Sequence, residues 1–246
     1  MSATVAPDPR FVDLRQVTKT FHGKGEDVTP LSALDLVVAR GDFVALMGPS
    51  GSGKTTLLHL LAGIDRPSAG SVHVDGTEVS ALAPRALARW RNEHVGFVFQ
   101  QYNLVPVLTA WENVELPLLL MRLSRAERRR KVDVALEAVG LSDRATHLPR
   151  ELSGGQQQRV AVARAIVAGP ALLRADEPTG NLDAKAADGV LALLAALHRR
   201  FGQTLVMVTH DPRAAAVAAR VVHLDKGQIV SDRRQDAPAA AGEARA

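Results

Sequence analysis

Short apolar runs alternate along the chain with longer segments in which apolar residues recur at helical spacing. The runs are rich in valine and leucine, and this alternation predicts an α/β fold with a mainly parallel sheet. Hairpin pairing of the early strands would add a small antiparallel part at the edge of that sheet. The predicted strands are Phe11–Val17, Leu34–Ala39, Phe43–Met47, Ser71–Val74, Val95–Phe99, Ala171–Ala175, Thr204–Val208 and Val221–Leu224.

The middle of the chain differs, because residues 101–168 show helical patterns and almost no strand pattern. The predicted helices are Trp111–Met121, Arg125–Val139 and Gln156–Ala168, with Gly140 and Pro149 between them. We therefore expect an α-helical subdomain at 101–168, inserted into a core formed by residues 1–100 and 169–232. Residues 233–246 are small, polar and rich in alanine, and are predicted to form a disordered tail.

The composition removes several classes of function. The chain has no cysteine, which excludes disulfides, thiolate zinc sites and thiol catalysis and agrees with a reducing cytoplasm. The N-terminus lacks the basic start and apolar stretch of a signal peptide. No apolar run approaches the roughly 18 residues that a membrane helix needs. The longest candidate, Val114–Leu123, is interrupted by Glu115, Pro117 and Arg122, so we expect work at a membrane only from outside the bilayer.

The charge is only mildly basic, with 30 Lys and Arg against 26 Asp and Glu and a net charge of +4. Aromatic residues make up 4% of the chain, too few for the stacking platforms that bind single-stranded nucleic acid. The basic run Arg125–Lys131 is either a nucleic-acid patch or a solvated helix face. Ser124 and Glu127 form a capping box there and favour the second interpretation. We therefore expect no nucleic-acid partner.

Residues 48–55 read GPSGSGKT and match the phosphate-loop pattern G-x-x-x-x-G-K-[ST]. An apolar strand precedes them and a segment of helical spacing follows, a context that a chance glycine-rich turn would lack. The glycines let backbone N–H groups converge on a β-phosphate at the helix N-terminus. Lys54 is expected to reach the β- and γ-phosphates, and the Thr55 hydroxyl to ligate Mg²⁺. The predicted nucleotide-binding residues here are Gly48, Pro49, Ser50, Gly51, Ser52, Gly53, Lys54, Thr55 and Thr56.

Two adjacent carboxylates, Asp176 and Glu177, follow another apolar strand. Ligands of open parallel sheets bind at the carboxyl ends of the strands. Asp176 would hold Mg²⁺ through water, and Glu177 would polarise the attacking water. An ordinary helix N-cap before Pro178 is the alternative, but the phosphate loop makes it less favoured. His210 ends a further strand at the same edge and could hydrogen-bond the γ-phosphate, although a lone histidine is more often structural.

The sequence LSGGQQQR at 152–159 opens a predicted helix and forms a second anion site. Ser153 would cap the helix, and Gly154 and Gly155 would expose backbone N–H groups at its N-terminus. A plain helix cap explains the serine but not the paired glycines. Two such anion sites in one chain suggest a head-to-tail dimer. In it, the segment 152–159 of each copy, called the signature below, would close over the nucleotide bound by the other copy.

These motifs occur in the order found in the nucleotide-binding subunits of ATP-binding-cassette (ABC) transporters, which the chain resembles over about residues 10–230. The fold implied is a P-loop NTPase core with a mainly parallel sheet, a small antiparallel β subdomain and the inserted helices. The motifs are the phosphate loop at 48–55, the glutamine-loop Gln100, the signature at 152–159, the Walker B pair Asp176 and Glu177, the D-loop around Asn181–Asp183 and the switch His210.

The resemblance also implies individual roles. Phe21 would stack on adenine, although a phenylalanine there could instead belong to the core or to a sheet edge. Gln100 would contact Mg²⁺ or the attacking water and report to a transmembrane partner. The implied catalytic residues are Glu177, His210 and Gln100; the implied metal ligands are Thr55, Gln100 and Asp176; and the signature residues that would contact ATP are Ser153, Gly154, Gly155 and Gln156.

By the same resemblance, the chain hydrolyses ATP to ADP and phosphate, with Mg²⁺, as a dimer of two copies. An integral membrane permease would dock beside Gln100, placing the chain as a peripheral protein on the cytoplasmic face of the membrane. The stretches beginning at Gly96 and at Ala175 resemble the branch of macrolide-efflux, lipoprotein-releasing and cell-division ATPases. The alternatives are a soluble cassette ATPase acting on DNA or ribosomes, and a non-enzymatic binding module. The intact Lys54 and Glu177 argue against the latter.

One position departs from the family pattern. Arg174 lies in the Walker B strand, where related chains usually carry an aliphatic residue. A buried and unpaired guanidinium would be strongly destabilising. We therefore expect its stem to snorkel, or its head to reach a carboxylate or solvent.

Overall fold

The computed structural model describes residues 9–23 and 25–235. The strands are β1 (Val12–Phe21), β2 (Val28–Val38), β3 (Phe43–Met47), β4 (Ala69–Val74), β5 (Thr77–Glu78), β6 (Val95–Val98), β7 (Leu172–Asp176), β8 (Thr204–Val208), β9 (Arg220–Asp225) and β10 (Gln228–Arg234). The helices are α1 (Lys54–Leu61), α2 (Pro84–His94), α3 (Ala110–Glu115), α4 (Arg125–Ala138), α5 (Gly154–Ile166), α6 (Ala184–Phe201) and α7 (Pro212–Ala215).

A six-stranded sheet with the order β10-β9-β3-β8-β7-β6 forms the centre of the fold. Every neighbouring pair from β9 to β6 is parallel, and β10 runs antiparallel at one edge. Strands buried on both faces read as continuous apolar runs, which is the pattern of β3, β7 and β8. The predicted mainly parallel sheet is confirmed, and the carboxyl ends of these three strands lie together at one edge.

The early strands form a sheet of their own, with the order β2-β1-β4-β5 and antiparallel pairing throughout. The predicted small antiparallel β subdomain is confirmed, whereas the expectation that it lies at the edge of the parallel sheet is wrong. Their buried side chains, such as Val12 and Leu14, join the same apolar cluster as Leu57 and Leu60 of α1. This sheet therefore covers α1, and the antiparallel edge of the parallel sheet comes from β10.

Helices α3, α4 and α5 lie within residues 101–168, as expected for the inserted helical part. Their apolar residues, among them Val114, Val132 and Val160, share one cluster with Leu173 of β7. The helix expected to run to Met121 ends at Glu115 and continues as a 3₁₀ turn, because Pro117 lacks an N–H group and clashes with the preceding turn. The exact boundaries of the subdomain stay a prediction.

The C-terminal region departs from the expectation of disorder beginning at residue 233. Arg233 and Arg234 belong to β10 and pair with Val221 and Arg220 of β9. The hairpin is closed by a tight turn in which Gly227 has a φ of 79°, a value that suits glycine. Residues 236–246, the rest of the predicted tail, lie outside the described residues.

Helices α2, α6 and α7 and strands β5 and β10 were not among the predicted elements. Helix α6 buries Val190, Leu191, Leu194 and Leu197 along one side, an ordinary amphipathic spacing. Within residues 9–23 and 25–235, no helix has both the length and the apolar character needed to cross a membrane.

Candidate functional site

The phosphate loop connects β3 to α1 at the shared carboxyl edge of the parallel sheet. Gly48 and Gly53 have φ values of 145° and 101°, which L side chains rarely adopt. A Cβ atom at Gly48 would clash with the carbonyl oxygen of Leu224, and one at Gly53 with that of Pro30. Both positions therefore require glycine for the loop to lie against its neighbours.

The N-terminus of α1 is suited to bind an anion. The helix begins at Lys54 after Gly53, and no side chain caps it, so its first N–H groups are free to bind a phosphate oxygen. The Lys54 ammonium donates hydrogen bonds to the carbonyl oxygens of Gly48 and Pro49, at 2.8 and 2.7 Å. These bonds keep its charge at the loop. Thr55 is exposed, whereas Ser52 is buried.

Glu177 and His210 form a pair beside this loop. Glu177 has a φ of 45° and donates its backbone N–H to the carbonyl oxygen of Val208, the last residue of β8, at 3.0 Å. His210 Nδ1 donates a hydrogen bond to Glu177 Oε1 at 2.8 Å. This hydrogen bond, together with the negative charge of the carboxylate, raises the pKa of His210 above its ordinary value. The sequence predicted both residues at this edge, and the structure joins them.

The residues present fit a magnesium–nucleotide complex. Thr55 on α1 and Asp176 at the end of β7 provide a hydroxyl and a carboxylate, the hard oxygen donors that Mg²⁺ prefers. Among the described residues, no group of three or more His, Asp or Glu side chains could hold a metal ion alone. This is typical of Mg²⁺ sites that rely on one or two protein ligands together with substrate phosphates.

Gln100 lies just after β6 and contacts the D-loop instead of the phosphate loop. Its Nε2 donates to Asn181 Oδ1 at 3.3 Å, and Asn181 Nδ2 donates back to the Gln100 carbonyl at 3.3 Å. Contact of Gln100 with Mg²⁺ or the attacking water stays a prediction. The structure instead shows that the glutamine loop and the D-loop are tied to each other.

The signature residues open α5. Ser153 Oγ accepts the N–H of Gln156 at 3.3 Å, and Gln156 Oε1 accepts the N–H of Ser153 at 2.9 Å, which makes a capping box. A Cβ atom at Gly154 would meet the Tyr102 hydroxyl, and one at Gly155 would meet Ala186 of α6. Packing therefore explains part of the need for paired glycines. In the part of the chain that the structure describes, no hydrogen bond joins the signature to its own phosphate loop.

Sequence reasoning missed two residues that fix this region. Gln158 is fully buried and donates to the carbonyls of Phe99 and Pro178, at 3.1 and 2.6 Å. Arg164 donates to the carbonyls of Asn103 and Tyr102, at 2.6 and 2.7 Å. The detectable signal is that Gln158 falls in the apolar stripe of α5, where a polar residue must have buried partners.

Phe21 ends β1 and is 46% exposed, so it is not a core residue. Lys19 Nζ lies 4.7 Å from its ring centroid. The exposed ring is free to stack on a planar ligand such as adenine. Stacking itself remains a prediction.

Arg174 is almost completely buried, with 1% of its side chain exposed. Its Nη2 donates to Asp176 Oδ2 at 3.1 Å, so the expectation that its head reaches a carboxylate is confirmed and snorkelling to solvent does not occur. Burial lowers the pKa of its guanidinium, an effect that the negative charge of Asp176 opposes.

Comparison with known proteins agrees with this geometry. The sequence profile of the family described as "ABC transporter" matches residues 31–180. The chain is 48% identical over 223 residues to the lipoprotein-releasing system ATP-binding protein LolD of Geobacter metallireducens, covering 90% of this chain and 99% of that protein. It is 46% identical over 237 residues to the macrolide export ATP-binding/permease protein MacB of Marinobacter nauticus, covering 96% of this chain but only 36% of that protein.

Solved structures show the same likeness. The ATP-binding cassette MJ0796, determined as a dimer in a post-hydrolysis state bound to ADP and Pi, superposes with a TM-score of 0.83. It is 41% identical to this chain, and the match covers 91% of this chain and 98% of MJ0796. The chain therefore belongs to the ABC transporter family, as an ATP-hydrolysing cassette similar to LolD and, over about a third of the length of that protein, to MacB.

Proposed function

We propose that this chain binds MgATP at its phosphate loop, hydrolyses it in a head-to-tail dimer of two copies, and thereby drives a membrane permease of the efflux or lipoprotein-release type. The observation that carries the proposal is the Glu177–His210 pair, 2.8 Å apart, at the sheet edge that also bears the phosphate loop. A carboxylate oriented in this way is the group that hydrolysis needs.

Each residue has a distinct part in the reaction. The Lys54 ammonium and the N–H groups at the start of α1 bind the β- and γ-phosphates. Glu177 accepts the hydrogen bond from His210 through Oε1, which orients the carboxylate so that it polarises the attacking water. His210 presents positive charge when protonated and stabilises the γ-phosphate. Thr55 and Asp176 would hold Mg²⁺, which would neutralise phosphate charge when bound.

A second copy of the chain would complete the site. The N-terminus of α5, with Ser153, Gly154 and Gly155, makes no hydrogen bond to its own phosphate loop within the described residues, and it is suited to an anion. A head-to-tail partner brings this helix end to the γ-phosphate of the first copy. The dimeric state in which MJ0796 was determined supports this arrangement.

The permease would dock in a groove between β6, α2 and the helical part of the chain. The groove has a volume of about 690 Å³, and its lining includes Ile64, Phe97, Phe99, Leu116 and Leu120. Leu120 is 77% exposed and Ile64 46% exposed, and both line this one groove. Exposed large apolar side chains grouped in this way are typical of interaction sites. A short amphipathic helix of the permease fits such a groove, at the cytoplasmic face of the membrane.

The chain spans about a third of the length of the MacB relatives, whose name joins an ATP-binding part and a permease. It spans nearly the whole of the LolD relative. Both comparisons support a permease partner. The transported compound would be chosen by that permease.

Substitution of Glu177 tests the catalytic proposal. Glu177→Gln should keep ATP binding while turnover falls on the order of 10²–10⁴-fold, because the water-polarising carboxylate is lost. Phosphate release and binding of a fluorescent ATP analogue measure the two properties. Lys54→Ala is the contrasting variant, since it should weaken nucleotide binding itself. Equal turnover in Glu177→Gln and the unsubstituted protein would refute the role of Glu177.

Recovery of partners tests the transport proposal. The Glu177→Gln protein, purified with MgATP in mild detergent from its native cells, should retain an integral membrane permease. A Leu120→Glu variant, which places a charge in the groove, should lose that permease while keeping ATP binding. Recovery of ribosomes or DNA-bound factors without any membrane protein would overturn the transporter assignment.

A further inference from the structure

Arg174 and Asp176 are two residues apart on β7 and therefore point to the same face of the sheet. Arg174 Nη2 donates to Asp176 Oδ2 at 3.1 Å. Among the described residues, no other side chain donates a hydrogen bond to this carboxylate. The carboxylate that the proposed function assigns to Mg²⁺ is thus already half engaged by a cation of the same strand.

Two aromatic rings hold the guanidinium in place. Phe97 lies directly opposite Arg174 in the register of β6 and β7. The guanidinium carbon is 5.4 Å from the centroid of Phe97 and 5.6 Å from that of Phe99. The two rings stack, with centroids 5.9 Å apart. Cation–π contacts of this kind stabilise a cation that has few hydrogen bonds.

The guanidinium of Arg174 has few hydrogen-bond partners among the described residues. Its Nε and Nη1 are buried, and neither has a hydrogen-bond partner within residues 9–23 and 25–235. Because arginine stays protonated in proteins, the group is a fixed positive charge. In the same described ranges, Asp176 is the only anion in contact with it, so the pair together carries no net charge beside the phosphate loop.

A neutral pair attracts a cation less strongly than a lone carboxylate does. The Coulomb interaction grows as the effective dielectric constant falls, and Arg174 lies in a nearly water-free position. An aliphatic residue here would leave Asp176 with its full negative charge. The same residue would also leave both carboxylate oxygens without a fixed donor.

We propose that Arg174 is a positioning residue that holds Asp176 through Oδ2, leaves Oδ1 for the hydration shell of the metal–nucleotide complex, and weakens Mg²⁺ binding at this site compared with a neutral residue. The inference rests on the proposed role of Asp176 as a Mg²⁺ ligand. It predicts that Arg174 changes the part of ATP binding that depends on Mg²⁺.

The test compares ATP binding with and without metal in the Glu177→Gln background, where hydrolysis is suppressed. The dissociation constant for ATP is measured by calorimetry in EDTA and again at saturating Mg²⁺. The ratio of the two constants reports how much more tightly Mg²⁺ binds to protein-bound ATP than to free ATP. The affinity of free ATP for Mg²⁺ therefore cancels when variants are compared.

Two neutral variants, Arg174→Met and Arg174→Gln, should raise this ratio on the order of tenfold, since each removes one charge next to a metal ligand. Arg174→Lys keeps a positive group on a shorter side chain that does not reproduce the planar guanidinium, and it should raise the ratio less than the neutral variants do. Leu172→Met, on the same face of β7 and equally buried, is the control for packing. All variants should still bind ATP in EDTA, which shows that they fold. Any effect of the charge on the nucleotide itself is contained in the dissociation constant measured in EDTA and cancels in the ratio.

An unchanged or lower ratio in the neutral variants would overturn the inference, as would an equal rise in Arg174→Lys. If only one neutral variant folds, the ratio of that variant decides. A parent protein whose ATP affinity does not respond to Mg²⁺ would refute the proposed metal site itself. That result is distinguishable, because it appears before any change at Arg174.

Discussion

At the scale of single residues, His210 shows how one neighbouring side chain changes the pKa of a site residue. The hydrogen bond and charge of Glu177 raise its pKa, so protonated His210 is favoured in the folded chain. The raised pKa of His210 stabilises the folded state relative to the unfolded state. This stabilisation is fully present at pH values below about 6.5, the ordinary pKa of histidine. That contribution is lost as the pH rises through the raised pKa.

The pKa of His210 can be measured from the pH dependence of its imidazole resonances by NMR. We expect a midpoint above about 6.5, and a lower midpoint in Glu177→Gln because the anionic acceptor is gone. Asp211→Asn is the control, since Asp211 raises the pKa of His210 less than Glu177 does. Equal midpoints in the parent and in Glu177→Gln would show that the pair does not form in solution.

The sequence predicted the site residues that belong to motifs contiguous in the chain. It did not predict the contacts that form only when distant strands and loops come together in the fold. Lys54 and Asp176 follow from motifs that are contiguous in the chain. The bond between Gln100 and Asn181 joins two loops far apart in sequence, and no periodicity encodes it. Arg174 was recognised as unusual, but its aromatic neighbours become visible only when β6 lies beside β7.

At the scale of elements, α5 connects the signature to the ends of two strands. Gln158 reaches the carbonyls after β6 and after β7 from its buried side. Removal of both bonds would leave the Pro178 carbonyl without this donor and the Phe99 carbonyl with only the longer bond from the Tyr102 N–H, at 3.4 Å. Unsatisfied buried groups are costly. The helix therefore has a polar anchor in its apolar face.

Substitution of Gln158 by leucine tests this anchor. We expect the free energy of unfolding to fall by about 1–3 kcal/mol, because the Pro178 carbonyl loses the Gln158 donor and the Phe99 carbonyl keeps only the Tyr102 N–H. Urea denaturation followed by circular dichroism measures the change. Gln157→Leu is the matched control, since Gln157 is less buried and, among the residues that the structure describes, donates to the Leu152 carbonyl alone. Equal losses in the two variants would contradict the role assigned to Gln158.

Element boundaries followed the sequence where a cap or a proline marks them. Ser124 caps α4, which begins at Arg125 as predicted. Pro117 explains why α3 ends earlier than predicted. Strand β10 was missed because its Ser231–Arg234 segment is polar on both faces. Only pairing with β9 identifies such an edge strand, and a sequence pattern does not contain that pairing.

At the scale of the whole molecule, the signature and the phosphate loop lie on different parts of one chain, and two copies are needed to bring them together. Ser153 and Ser124 are a matched pair for testing this arrangement. Each caps a helix of the same subdomain, and each forms a capping box with the residue three positions later.

We expect Ser153→Arg in the Glu177→Gln background to stay monomeric with MgATP, because the longer side chain blocks the approach of the other copy's nucleotide. Ser124→Arg should still dimerise. Loss of a cap should cost each variant about 1 kcal/mol of stability, so stability does not distinguish them. Light scattering after size exclusion measures the mass. Equal dimerisation of both variants would argue against the head-to-tail dimer.

The two phenylalanines that hold Arg174 also line the docking groove. One layer of aromatic side chains therefore separates the surface proposed for the permease from the guanidinium that contacts Asp176. A permease helix bound in this groove would therefore lie against the same rings that contact the guanidinium. The proposed permease surface and the proposed metal ligand are thus joined through only two intervening side chains, a phenylalanine and Arg174.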